Sequence, residues 1–156
     1  MKFKVIKESA DDESLYEDKE EYKSDLDSII QNKGIKSTDS NPTTDIEFYE
    51  TNGKCSVKDF IVDISDEKLK EKTVKNIYQL SVEDKNARPP LSRYIEDGIF
   101  ELRSKQSSNI DRIFYFFVIG NKIVMTNGYI KKSQELDKKE FEKAKRYMNE
   151  YLRRKD

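Results

Sequence analysis

The stretch "RIFYFFVIGNKIVMTNGYIKK", residues 112 to 132, sets the densest apolar run of the chain between an arginine and a pair of lysines. Its first half, RIFYFFVI, and second half, NKIVMTNGYI, are rich in β-branched and aromatic residues, and Gly120-Asn121 separates them. Such composition suits strands, and a junction this short joins them as a tight antiparallel hairpin. Upstream, GIFELRS (98 to 104) reads as a third strand, with SKQSSNID able to form a longer hairpin to the next. Sequential strands of this kind pair antiparallel most simply.

Working outward, Asp137 is placed to cap a helix to about Leu152 that turns Phe141, Ala144, Tyr147 or Met148, and Tyr151 inward. On the other side, EDKNARPPLSR (83 to 93) cannot continue a helix through Pro89 and Pro90 and reads as a loop. Before it, Ser65 or Asp66 can cap a helix in which Leu69, Thr73, Ile77 and Leu80 recur every three or four residues, and Ser56 can cap a shorter one to about Ile64. IEFYE (46 to 50) alternates like a strand and is followed by an Asn52-Gly53 turn. The expected order is strand, two helices, three strands and one helix: an α+β fold whose sheet is packed by helices on one side.

Residues 1 to 45 stand apart. KFKVI (2 to 6) alternates like a strand, residues 12 to 31 carry Leu15, Tyr22, Leu26, Ile29 and Ile30 at helical spacing, and the Ser-, Thr-, Asn-, Asp- and Pro-rich stretch from 34 to 45 reads as a linker. This part holds 7 lysines against 12 acids, a charge of −5, whereas residues 46 to 156 carry +4. From Gly98 onward 14 cations face 8 acids, so the carboxy-terminal end is the cationic pole and polyanions are its expected partners. Two domains follow: an acidic extension and linker over 1–45, and a globular unit over 46–156.

Only 35% of the 156 residues are apolar and 39% are charged, so nine Tyr and eight Phe must supply much of the core. The chain has no histidine, which excludes Ser-His and Cys-His nucleophilic pairs, histidine-ligated zinc and imidazole acid–base chemistry. Cys55 stands alone, ruling out an internal disulfide and fitting a reducing compartment. No apolar run nears the ~20 residues of a membrane span and the amino terminus has no signal-peptide core, so a cytoplasmic protein is expected.

Four stretches carry a family resemblance: "IEFYETNGKCSVKDFI", "LSRYIEDGIFELRSKQ", "RIFYFFVIGNKIVMTNGYIKKSQ" and "KKEFEKAKRYMNEYLRR". Over about 70% of the chain, from Ile46 to Arg154, they resemble, in order, the RelE/ParE superfamily of bacterial toxins, and more narrowly its HigB-like, phage-derived Gp49-like branch. The resemblance implies a small curved antiparallel sheet, a helical hairpin on one face and a carboxy-terminal helix. It also implies the toxin of a type II toxin-antitoxin pair, a metal-independent endoribonuclease without cofactor that cuts messenger RNA on the ribosome. Its partner would be a cognate antitoxin, expected to be a helix-turn-helix protein. The alternatives are a DNA gyrase inhibitor of the ParE type and a catalytically silent binding module.

Carried over by position, the site comprises Arg103 of "ELR", Arg112 and Tyr115 of "RIFY", and the pair Lys131 and Lys132. If a 2′-hydroxyl attacks the adjacent phosphate, guanidinium groups can neutralise the charge of the transition state bidentately. Arg112 is the first candidate for this, with Arg103 supporting. Lys131, Lys132 or Tyr115 would move the protons, the three roles remaining undivided. Lys143, Arg146, Arg153 and Arg154 on the last helix are either a solvated face or a contact to ribosomal RNA. Two positions depart from the family pattern: Asp111, whose carboxylate would pair with Arg112 or repel phosphate, and Asn127, where many relatives carry histidine. The acidic extension is either a variable appendage or an inhibitor docked in cis on the basic residues.

Overall fold

A computed structural model describes residues 44–155. The strand and helix expected within residues 2–31, and the linker apart from Thr44 and Asp45, lie outside the described residues. The elements are β1 (Asp45–Phe48), β2 (Glu50–Thr51), β3 (Lys54–Cys55), α1 (Ser56–Val62), α2 (Glu67–Glu83), β4 (Ser92–Glu96), β5 (Ile99–Gln106), β6 (Asn109–Val118), β7 (Lys122–Ile130) and α3 (Lys138–Lys155). A single 3₁₀ turn, Asp84–Asn86, follows α2. No helix among the described residues is long and apolar enough to cross a membrane.

The fold is α+β, with a curved five-stranded sheet in the order β1-β7-β6-β5-β4. The run from β4 to β7 is an antiparallel meander, as expected of sequential strands. Short turns close it, of two residues between β4 and β5 and of three, Ile119, Gly120 and Asn121, between β6 and β7. Gly120 and Asn121 both have positive φ between β6 and β7, as do Asn52 and Gly53 between β2 and β3. The β5–β6 turn is tighter than expected: Gln106 pairs with Asn109, so Ser107 and Ser108 alone make it, Ser107 at φ 55°.

Three features differ from the sequence-based expectation. The sheet is mixed, because β1 pairs parallel with β7, Asp45 opposite Lys122 and Phe48 opposite Met125. The intervening helices carry the chain across one face before it returns beside its first strand, which is the crossover a parallel pair needs. The supposed loop before Gly98 ends in a strand, β4, which begins two residues after the prolines. Finally, helices cover both faces. The core on one face joins Val57 and Ile61 of α1 and Val74, Ile77 and Leu80 of α2 to Leu102, Ile113, Tyr115, Ile123 and Met125. On the other face α3 sets Phe141, Ala144 and Tyr151 against Ile99, Phe114, Phe116, Val124 and Tyr129.

Pleating explains this. In β6, Ile113 and Tyr115 point to the α1/α2 face, and Phe114 and Phe116 to the α3 face. A strand apolar at every position is buried on both sides. Local caps hold the helices in register: Asp66 Oδ1 accepts from the amides of Lys68 and Leu69 at the start of α2, and Asp137 Oδ1 from the amide of Glu140 at the start of α3. Ser56 opens α1 without a side-chain cap. Gly128 lets α1 approach β7, since a Cβ there would lie 2.6 Å from Phe60 Cδ2.

Candidate functional site

Arg103 and Arg112 face each other across the β5–β6 pair, and Arg112 in turn faces Tyr129 on β7. Directly opposite residues share a face of the sheet, so all three lie on the α3 side. Glu101, two residues before Arg103, shares that face and sits between the guanidinium groups: its Oε2 lies 3.4 Å from Arg112 Nε and 3.5 Å from Arg103 Nε. Glu101 and Arg112 are buried, at 4% and 5% exposure, while Arg103 is half-buried. Arg112 also donates from Nη1 to the carbonyl of Asp111 at 2.8 Å. Both Nε atoms are buried and neither makes a hydrogen bond of good geometry with Glu101, so the carboxylate is held between the two guanidinium groups by charge.

These side chains belong to an open groove of about 1300 Å³. It runs over the end of β5, the start of β6 and the start of β4, and no residue of α3 lines it. Its cations are Lys72, Arg93, Arg103, Lys105, Arg112, Lys131 and Lys132, and Glu101 is the one acid among the lining residues. Lys131 is anchored where the chain leaves β7: its amide donates to the Ile110 carbonyl at 2.8 Å and its Nζ to the Glu135 carbonyl at 3.2 Å.

The crowding of positive charge shows in the titration of the site. Burial lowers the Arg112 pKa first, Glu101 opposes that fall and Arg103 adds to it. Lys131 is likewise lowered by burial and then by Arg112, with Arg103 and Arg93 adding and Glu101 opposing. A lysine so displaced is better suited to accept a proton than an isolated one.

Four of the five expected residues, Arg103, Arg112, Lys131 and Lys132, are therefore brought together. Tyr115 is not. It lies on the α1/α2 face, 1% exposed, stacked on Phe100 at 5.4 Å and hydrogen-bonded to Ser92 Oγ. Burial pushes its pKa up to about 12, so its phenol neither reaches the groove nor serves as a base. Tyr115→Phe should lower stability by ~1–2 kcal/mol, because Ser92 loses its buried partner, and denaturant unfolding measures it.

The helix cations are elsewhere. Lys143 Nζ and the Arg146 guanidinium lie over the Tyr147 ring, at 5.8 and 5.4 Å. Arg154 donates to the Glu50 carbonyl at 2.9 Å and covers Tyr49, and Arg153 is exposed beside it in sequence at the far end of α3. None of the four lines the groove. Both departures from the family pattern are also turned away from it. The Asp111 side chain points to α2, its Oδ2 2.6 Å from Thr73 Oγ1, so it neither pairs with Arg112 through its carboxyl group nor confronts a phosphate. Asn127 is buried and donates from Nδ2 to the Glu140 carbonyl and to Glu140 Oε1, both at 3.0 Å, tying β7 to the first turn of α3.

The structure adds residues that sequence reasoning missed. Glu101 could have been found, since two-residue spacing from Arg103 puts both on one face of a strand. Tyr129, rather than Tyr115, is the phenol beside Arg112; burial raises its pKa, with Glu101 and Arg112 within electrostatic reach. Lys72 and Arg93 come from α2 and β4, which the sequence alone did not bring to this end of the sheet.

No curated protein matches the chain. A family pattern does: that described as "Phage derived protein Gp49-like" matches residues 60–149, which contain α2, the whole meander, all four clustered cations and most of α3. With more than half of its length matched, the chain belongs to the phage-derived Gp49-like family, a family associated with toxin-antitoxin systems.

Proposed function

We propose that the chain is a RelE/HigB-like toxin that cleaves messenger RNA on the ribosome without a metal, and that an antitoxin protein silences it. The observation that carries this reading is the pair Arg103 and Arg112, held across two strands at the floor of a groove with seven cations and one acid. Guanidinium groups set side by side among further cations suit phosphate, and a pentacoordinate phosphorus gains the negative charge they neutralise.

In this reaction Lys131, as the neutral amine, takes the proton of the 2′-hydroxyl. The 2′-oxygen forms a bond to phosphorus as the P–O5′ bond breaks, giving a 2′,3′-cyclic phosphate, and the Lys132 ammonium returns a proton to the departing 5′-oxygen. Arg112 and Arg103 hold the non-bridging oxygens, and Glu101 fixes the two guanidinium groups at their separation. The lowered pKa of Lys131 supports its role as the base. Lys131→Arg keeps the charge and removes the proton acceptor. It should retain RNA affinity and lose ~10²-fold in cleavage rate, together with the rise in rate at alkaline pH.

Induced expression with mapping of RNA ends tests the whole reading. Cuts within translated codons, absent when Arg112 is replaced, are the expected result. Intact transcripts with DNA breakage would instead point to a gyrase inhibitor.

A further inference from the structure

The groove carries more positive charge than its own residues balance, and the chain carries a segment of opposite sign. Between Glu8 and Asp27, ten acids face only Lys19 and Lys23, a charge of −8 in 20 residues. We propose that this acidic segment, residues 8–27, binds the groove in cis and competes with RNA for it. The proposal rests on the reading of the groove as the RNA site and adds its regulation.

Three observations support it. The first is chemical: the groove already receives a carboxylate. Glu101 Oε2 stands between the two arginines at 3.4 and 3.5 Å, so carboxylate is a ligand these guanidinium groups accept, and the exposed Lys72, Arg93, Lys105 and Lys132 along the groove are open to further ones. The second is charge. Seven cations against one acid leave the groove strongly positive, and a segment of −8 is its counterpart within the same chain. The third is reach. Thr44 is fixed by its amide to the Ser81 carbonyl, and β1 starts opposite Lys122, at the end of β7 away from Lys131. Nine residues of β7 separate the two ends by ~30 Å. The 16 residues between Asp27 and Thr44 can span at most ~55 Å, so the tether is long enough.

Tethering makes weak binding effective. A linked segment is presented to the groove at roughly millimolar concentration, so an intrinsic affinity of ~100 μM would keep the groove about nine-tenths occupied. RNA affinity would then fall ~10-fold. At high salt, where the Debye length shrinks to a few ångströms, the competition should fade.

The test uses the full chain in two forms, unaltered and with Asp11, Asp12, Glu13, Glu17, Asp18, Glu20 and Glu21 changed to Asn or Gln. The probe is a fluorescein-labelled single-stranded RNA dodecamer. The neutralised chain should bind it ~10-fold more tightly at 50 mM salt, with the difference shrinking to ~2-fold at 500 mM. Carbodiimide treatment of the unaltered chain should form intramolecular amides between acids of 8–27 and Lys105, Lys131 or Lys132, and the RNA should suppress them. Equal affinities together with no such amides would overturn the proposal while leaving the RNA site intact. Amides formed in a chain that binds no RNA in either form would keep the cis contact and overturn the nuclease reading instead.

Discussion

Arg112→Ala should lower cleavage of ribosome-bound messenger RNA by ~10³-fold, a loss of ~4 kcal/mol of transition-state stabilisation. The size follows from the site. Arg112 is almost fully buried, its orientation is set by Glu101 and by the Asp111 carbonyl, and no lysine shares its position at the groove floor. A fixed donor in a water-poor setting needs no reorganisation as charge develops on phosphate. The same burial makes the alanine variant open to a structural objection, since Glu101 would be left with Arg103 alone. Arg112→Lys answers it by keeping a cation beside Glu101 while removing the planar fork. Both variants should show cooperative unfolding, and both should cut slowly, the alanine variant more so. Normal cutting by folded Arg112→Ala would take Arg112 out of the reaction.

The elements that formed where the sequence put them are those with local signals. The helix over Glu67–Glu83 follows from its three-and-four apolar spacing and the Asp66 cap, and the β6–β7 hairpin from Gly120-Asn121. What could not be read locally was pairing at a distance. Nothing in IEFYE announces that it will lie parallel to residues 122–130, because that neighbour is chosen by a core assembled from both. The covering of both faces was legible in principle: RIFYFFVI does not alternate, and a strand without alternation has no face to spare for water.

The site divides along the same line. That Arg103, Arg112 and the two lysines meet depends on register in one antiparallel meander, which Gly120-Asn121 signals for β6 and β7 but SKQSSNID, open to a longer hairpin, leaves undefined for β5 and β6. Tyr115 failed by parity: three residues after Arg112 on a strand is the opposite face. Asp111, one residue from Arg112, is turned away for the same reason, and this separation carries the second large effect.

Asp111→Asn should make the protein more stable at pH 8 and nearly unchanged at pH 4. The carboxylate is fully buried against α2, and burial raises its pKa from 3.8 to about 7 despite help from Thr73, Arg112 and Ser104. The hydrogen bonds agree with a retained proton. Thr73 Oγ1 lies 2.8 Å from the Leu69 carbonyl and 2.6 Å from Asp111 Oδ2, and its single hydrogen can serve only one of them. With that hydrogen on Leu69, Asp111 must donate its own to Thr73. An acid whose folded pKa lies above its unfolded value binds more protons when folded, so its contribution is fully present below about pH 4 and is lost as pH rises through about 7. A shift of this size corresponds to ~4 kcal/mol, the upper bound of the gain expected from the asparagine at alkaline pH. Urea unfolding of both proteins at pH 4.5 and 8 measures it as a difference, so carboxylates common to the two cancel. RNA cleavage should not change, because Arg112 uses the backbone carbonyl of residue 111 and not its side chain. A stability difference that is the same at both pH values would mean that Asp111 is ionised throughout, with Thr73 turned toward it and the Leu69 carbonyl left to its helical partner alone.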